Sequence, residues 1–322
     1  MRLTLLHNPE AGDDQPSRDE LVTRLRRAGY DVRYQSAKDP AFGRALDDPG
    51  DLVLVAGGDG TVAKVAKRLV GRDVPLAIVP LGTSNNIARS LGVVGSAGEI
   101  IDGLATAVTT TLDVGRARAP WGSSWFIEAI GVGFFGGVLR RAEERREREG
   151  GDPATTPVPT ALRGIRRALD GYPARERRVV ADGEDLSGPY VMVEVMNVRS
   201  IGPRMALAPD ADVRDGHLDV LVLRESDRRA LGDYLGALAD GADVRFSVPS
   251  RRARHVSLGW DADDAHLDDE VWPARKAPSG VHPVSDSATV EAEIVDPPLR
   301  VLVPSHMHER ARADSATTER LQ

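Results

Sequence analysis

The sequence predicts an α/β domain with a doubly wound, mostly parallel sheet, followed by a β-rich domain. Three observations carry this. The chain has 322 residues, more than one ordinary core absorbs. To about residue 118, short apolar runs alternate with helical patterns, the rhythm of a parallel sheet with helices on both faces. Beyond that point the helical patterns thin out. Short strand-like runs follow one another with turn residues between them, which points to antiparallel pairing.

In the first half, strands read at 2–7, 31–36, 51–56 and 74–79, and helices at 17–29, 40–47, 60–70, 84–91 and 97–107. Gly29 stands where a helix-ending glycine belongs. In the second half, strands read at 111–119, 124–132, 176–183, 189–197, 217–224, 254–260, 265–268, 288–295 and 299–303. The expected domains are 1–118 and 119–296. A strand at 297–304 is a candidate to return to the first domain, and the polar tail 305–322 is expected to be disordered. From Val138 to Glu149 the chain reads as a helix dense in paired charges, better explained by i,i+4 ion pairs than by a lid. The Gly150-Gly151-Asp152-Pro153 stretch after it reads as a mobile connection.

Composition removes several function classes. A formal net charge of −7 argues against nucleic-acid binding. The absence of cysteine removes disulfides and thiol chemistry and suits a reducing cytoplasm. No apolar run is long enough for a signal peptide or a membrane-spanning helix. The expected location is the cytoplasm, at most peripheral to the inner face of a membrane.

Chemistry is concentrated at strand ends. Leu52 to Ala56 run directly into Gly57-Gly58-Asp59-Gly60-Thr61, where a helical pattern starts. Glycines let the backbone approach a ligand, and amides ahead of a helix suit a phosphate chain. Asp59 repels phosphate unless it works through Mg²⁺ or a metal-bound water; otherwise it is a helix cap. A second turn, Pro80-Leu81-Gly82-Thr83-Ser84-Asn85-Asn86, follows Val74–Val79, and a third, Asn8-Pro9 with Gly12, follows the first strand. Ligands of open α/β sheets sit outside such strand ends. Asp268 and Glu270 lie two apart, so alternation places both carboxylates on one face, where one can act as a base.

Taken with Asn197…Gly202, Ala208-Pro209-Asp210-Ala211, Asp215-Gly216-His217-Leu218-Asp219-Val220, Leu267-Asp268-Asp269-Glu270 and Leu299 to Pro304, these turns resemble the diacylglycerol kinase catalytic family, relatives of sphingosine, ceramide and NAD kinases. The resemblance covers about residues 1–304 and implies a sandwich-like second domain with an active site in the cleft between the domains. It implies ATP and Mg²⁺ as cofactors. Asn8, Gly57, Gly58, Asp59, Gly60, Thr61, Gly82, Thr83 and Asn85 would line the nucleotide, and Asp268 or Glu270 would be the base. Asp215 would join Asp59 in a Mg²⁺–water network. The acceptor would be a hydroxyl of diacylglycerol or a related lipid, and a homodimer is a candidate assembly. Three departures stand out: Asp269 where the family has glycine, Lys64 where it has glutamate, and Phe135 where it has an acid. They keep open a non-catalytic lipid- or nucleotide-binding protein of the same fold, beside an NAD kinase-like enzyme. Phe126, Ile127, Ile130, Phe134, Phe135 and Val138 read as core ahead of a lipid slot.

Other patterns do not carry weight. Gly131-Val132-Gly133-Phe134-Phe135-Gly136 matches a dinucleotide fingerprint but lacks a following parallel strand. The acids from Asp261 to Glu270 miss the calcium-loop positions. His306 and His308 form a chance pair, and neither a Walker loop nor a nucleophile elbow is present.

Overall fold

A computed structural model describes residues 1–12, 15–149, 156–260, 265–272 and 288–311. The chain divides into two units: Met1–Asp113 with Asp296–Gln322, and Val114–Val295. The expectation for 150–153 and part of the acidic run at 261–264 lie outside the described residues.

In unit 1, β1 (Arg2–His7), α1 (Arg18–Arg27), β2 (Asp31–Ser36), β3 (Leu52–Gly57), α2 (Asp59–Leu69), β4 (Leu76–Pro80), α3 (Asn86–Ser90), α4 (Ala97–Gly103) and the start of β5 (Val108–Ala119) follow in order. The expected helix at 40–47 is a short 3₁₀ turn, Phe42–Leu46. The sheet order is β2-β1-β3-β4 and every pairing is parallel. All six residues of β3 are buried, as a strand covered on both faces must be. Capping boxes start α1 at Ser17 with Glu20 and α4 at Ser96 with Glu99, and Gly29 follows α1 at φ 90°. From β1 the chain steps to β2 on one side and to β3 on the other, so the sheet switches direction between β1 and β3.

Unit 2 adds β6 (Gly122–Phe126), β7 (Ala129–Gly133), α5 (Phe134–Glu149), α6 (Val158–Leu169), β8 (Arg175–Arg177), β9 (Val179–Ala181), β10 (Glu184–Asp185), β11 (Gly188–Met196), β12 (Leu218–Arg224), α7 (Arg228–Ala239), β13 (Arg251–Ala253), β14 (His255–Trp260), β15 (Ala265–Leu267), β16 (Glu270–Val271) and β17 (Ala288–Val303). One sheet runs β13-β12-β11-β7-β15-β16. The other contains β10-β9-β14 and the first half of β17, with β5 and β6 beside it. Val193, Val195 and Val220 of the first sheet and Val256, Leu258 and Val290 of the second share one core, so the unit is sandwich-like. The last residues of β17 belong to unit 1, where Val301 pairs in parallel with Leu76 of β4.

Two helices escape the sequence reading, α6 and α7. Their signal is present: Leu162, Ile165 and Leu169 are buried, as are Leu231, Tyr234 and Leu235, both at helical spacing. The tail expectation also needs correction. Residues 305–311 are helical, because Met307 is an apolar anchor, 3% exposed, seated against Gly95. Residues 312–322 lie outside the described ones. β7 pairs antiparallel with both neighbours, so the Gly131–Gly136 fingerprint opens no parallel βαβ unit. Phe126, Ile127, Ile130, Phe134 and Phe135 are all buried core.

Candidate active site

In unit 1 the three strand-end turns come together. Asn8 leaves β1, and its Nδ2 donates to Thr61 Oγ1 on α2 at 3.5 Å. This contact lies at the switch between β1 and β3, where an open α/β sheet leaves a crevice for ligands. The Gly58 and Gly82 backbones lie against each other: a Cβ on Gly82 would stand 2.5 Å from Gly58 Cα. Only glycine permits this approach of two turns.

Gly58, not Asp59, is the N-cap of α2, and it supplies no side-chain acceptor. Thr61 N and Val62 N donate to Gly58 O, so the positive end of the helix is carried by backbone alone, with no side-chain acceptor across it. Asp59 stands one residue inside α2 but caps a different helix. Its Oδ1 accepts from Ile87 N at 3.0 Å, at the start of α3. Burial pushes this carboxyl up, opposed by the amides of Ile87, Asn86 and Asn85. Asn85 closes its own turn, with Oδ1 accepting from Gly82 N at 2.9 Å and Nδ2 donating to Gly82 O at 2.6 Å; its φ is 53°. Thr83 and Lys64 are exposed, and Gly57 and Gly60 complete the turn.

In unit 2, Asp268 and Glu270 do not share a face. Leu267 pairs with Glu270, so Asp268 and Asp269 form a two-residue turn between β15 and β16. The positive φ falls on Asp268, at 53°, and not on Asp269. A turn interrupts the alternation of a strand, which is why the expectation fails. Asp268 is 4% exposed, and its Oδ1 accepts from Ile127 N at 3.0 Å, Glu128 N at 2.7 Å and Ala129 N at 3.4 Å. Asn197 braces the same segment, its Nδ2 donating to Ile127 O at 2.8 Å and its backbone N–H to Glu128 O. Asp268 is thus a hub for backbone amides, whereas Glu270 is exposed.

The two carboxylates expected in a Mg²⁺–water network each make protein contacts of their own. Asp215 accepts from its own turn at His217 N, 2.9 Å, and pairs with Arg252, while Asp59 is committed to the α3 amides. Among the described residues no cluster of three metal-ligating side chains occurs, and no helix is long and apolar enough to cross a membrane.

Sequence reasoning misses one polar pair in unit 2. Glu194 Oε2 and His266 Nε2 meet at 2.8 Å with both side chains fully buried. Burial alone would lower the imidazole, but Glu194, joined by Asp268, raises it.

Residues 2–117 match the diacylglycerol kinase catalytic domain, and residues 160–285 match the YegS C-terminal NAD kinase beta sandwich-like domain. The chain is 29% identical over 271 residues to a diacylglycerol kinase of Mycobacterium tuberculosis, covering 80% of this chain and 84% of that one. It is 25% identical to a diacylglycerol kinase of Bacillus subtilis, covering 80% of each. Its fold is similar to a diacylglycerol kinase structure from Bacillus anthracis str. Sterne, with TM-score 0.69, 20% identity and 95% and 97% of the two chains covered. It is also similar in fold to an NAD kinase from Archaeoglobus fulgidus, with TM-score 0.53, 12% identity and coverage of 98% and 99%. Strand order, turns and both matched domains thus place this chain in the diacylglycerol kinase catalytic-domain family of lipid kinases.

Proposed function

We propose that the protein transfers the γ-phosphoryl group of ATP to a hydroxyl of diacylglycerol or a closely related lipid. The observation that carries this reading is the packing of the Gly57–Thr61 turn on the Gly82–Asn85 turn at the sheet's switch point, with Asn8 tied to Thr61. ATP, as its Mg²⁺ complex, is held at the N-terminus of α2, with the Thr61 hydroxyl and Thr83 as further donors. Phosphoryl transfer asks mainly for positioning and charge stabilisation, and these turns supply both without side-chain bulk.

Glu270 is the general base. It is exposed and free to approach a lipid hydroxyl, while the buried Asp268 gives its Oδ1 to three amides and positions the turn. The relatives named diacylglycerol kinase support the lipid acceptor, and the ATP complex named for the archaeal NAD kinase structure supports the nucleotide.

The experiment is transfer of γ-³²P from ATP to a panel of mixed-micelle lipids, with NAD as a parallel acceptor. Labelled phosphatidic acid supports the reading. Label on NAD alone, or label on no acceptor while ATP still binds, overturns it in favour of an NAD kinase or a nucleotide-binding protein.

A further inference from the structure

Three neighbouring strands of unit 2 carry Glu194, Gly131 and His266 at one level. In β11–β7 pairing Glu194 lies opposite Gly131, and in β7–β15 pairing His266 lies opposite the same glycine. Residues directly opposite one another project from one face of a sheet. Gly131 puts nothing between its neighbours, so the carboxylate and the imidazole close over it and meet at 2.8 Å. A Cβ at Gly131 would stand 2.2 Å from Glu194 Oε2. Phe135 of helix α5 stands against the imidazole in a T-shaped contact, ring centroids 5.0 Å apart at 83°.

The second imidazole nitrogen, Nδ1, is 2.9 Å from the carbonyl oxygen of Asp268. A carbonyl only accepts, so Nδ1 carries a hydrogen. One more proton is shared between Nε2 and Oε2, whichever of the two atoms holds it. The line Glu194–His266–Asp268 O therefore ends on the first residue of the turn that delivers Glu270, the residue at φ 53°. Packing alone does not account for the pair. Replacing a buried charged pair by apolar side chains of similar volume is often neutral or stabilising.

We propose that Glu194 and His266 are positioning residues for the turn between β15 and β16, acting through the Asp268 carbonyl to fix where Glu270 stands. The proposal rests on Glu270 as the base of the kinase reading. Neither residue touches the reacting atoms. A carboxylate that orients an imidazole, which in turn orients the working group, is a recurrent chemical arrangement.

The test compares the parent with Glu194→Gln, His266→Leu and the double variant Glu194→Met/His266→Leu in the full chain. A glutamine amide can still donate to Nε2 of a neutral imidazole whose Nδ1–H stays on Asp268 O. Glu194→Gln should therefore keep kcat within about threefold of the parent. The double variant leaves the Asp268 carbonyl without its donor, so it should melt slightly lower than the parent while keeping KM for ATP, and lose about tenfold or more in kcat. Parental kcat in the double variant, or a loss in Glu194→Gln as deep as in His266→Leu, overturns the proposal. Amide hydrogen exchange at Asp269 and Glu270 gives a readout that needs no activity. Faster exchange in the double variant than in the parent and Glu194→Gln supports the pair even if no lipid is phosphorylated. Unchanged exchange overturns it.

Discussion

Asp59 Oδ1 accepts the backbone N–H of Ile87, 28 residues later, at 3.0 Å, so the acid of the glycine turn caps the helix α3. The two turns that would flank a triphosphate are fastened by a carboxylate belonging to one and amides belonging to the other. Replacing Asp59 with alanine should remove a cap and cost about 1–2 kcal/mol of stability in urea denaturation. Asparagine, whose carbonyl still accepts, should cost less. ATP affinity, measured by calorimetry, should fall in the same order.

Gly82→Ala should be harmful in a way that Gly58→Ala is not. The added methyl would stand 2.5 Å from backbone at Gly58 in the first case and 3.2 Å from backbone at Gly82 in the second. We expect a loss of about 1–3 kcal/mol for Gly82→Ala, with ATP binding lost because the turns are pushed apart. The alanine at 58 should be accommodated by a few tenths of an ångström. Equal losses in thermal melting would contradict the packing described.

The acids of the β15–β16 turn should separate stability from activity. Asp268→Ala leaves three amides without their acceptor and should cost about 3 kcal/mol. Glu270→Gln, on the surface, should stay within about 0.5 kcal/mol of the parent while abolishing lipid phosphorylation. A Glu270→Gln protein with parental turnover would remove Glu270 as base.

Glu293 should contribute stability that depends on pH. Arg116, donating through Nε at 3.0 Å, and then Arg118 hold its carboxyl below the ordinary 4.5. A depressed carboxylate contributes its full share above the unfolded value and loses it as pH falls through the folded one. Glu293→Gln should therefore cost about 0.5–1 kcal/mol at pH 7. That difference should shrink toward zero below pH 4.5, as followed by urea denaturation at several pH values.

The parts of the fold written in local pattern were legible. Leu52 to Ala56 ending in Gly57-Gly58 declares a buried strand and a turn, and the Asn8, Gly58 and Gly82 turns could be grouped because parallel strands all end on one side. What escaped depends on register or distance. Asp268 turned inward because its position in a two-residue turn breaks strand alternation. The Glu194–His266 contact spans 72 residues and exists only because Gly131 lies between them in the sheet. Asp59 read as a local cap or a metal ligand, and the helix it caps starts in the next turn. α6 and α7 had visible apolar spacing, yet a region dominated by strand-like runs masked it.

The first unit is discontinuous: it opens at Met1, breaks at Asp113 and resumes at Asp296. A ribosome releases the strand that pairs with β4 only after the entire second unit has been synthesised. Until then a row of backbone groups on Leu76–Pro80 stands open, in a strand whose side chains are almost wholly apolar. Chains truncated before Leu299 should consequently be recovered as aggregates or chaperone complexes rather than as a folded first unit.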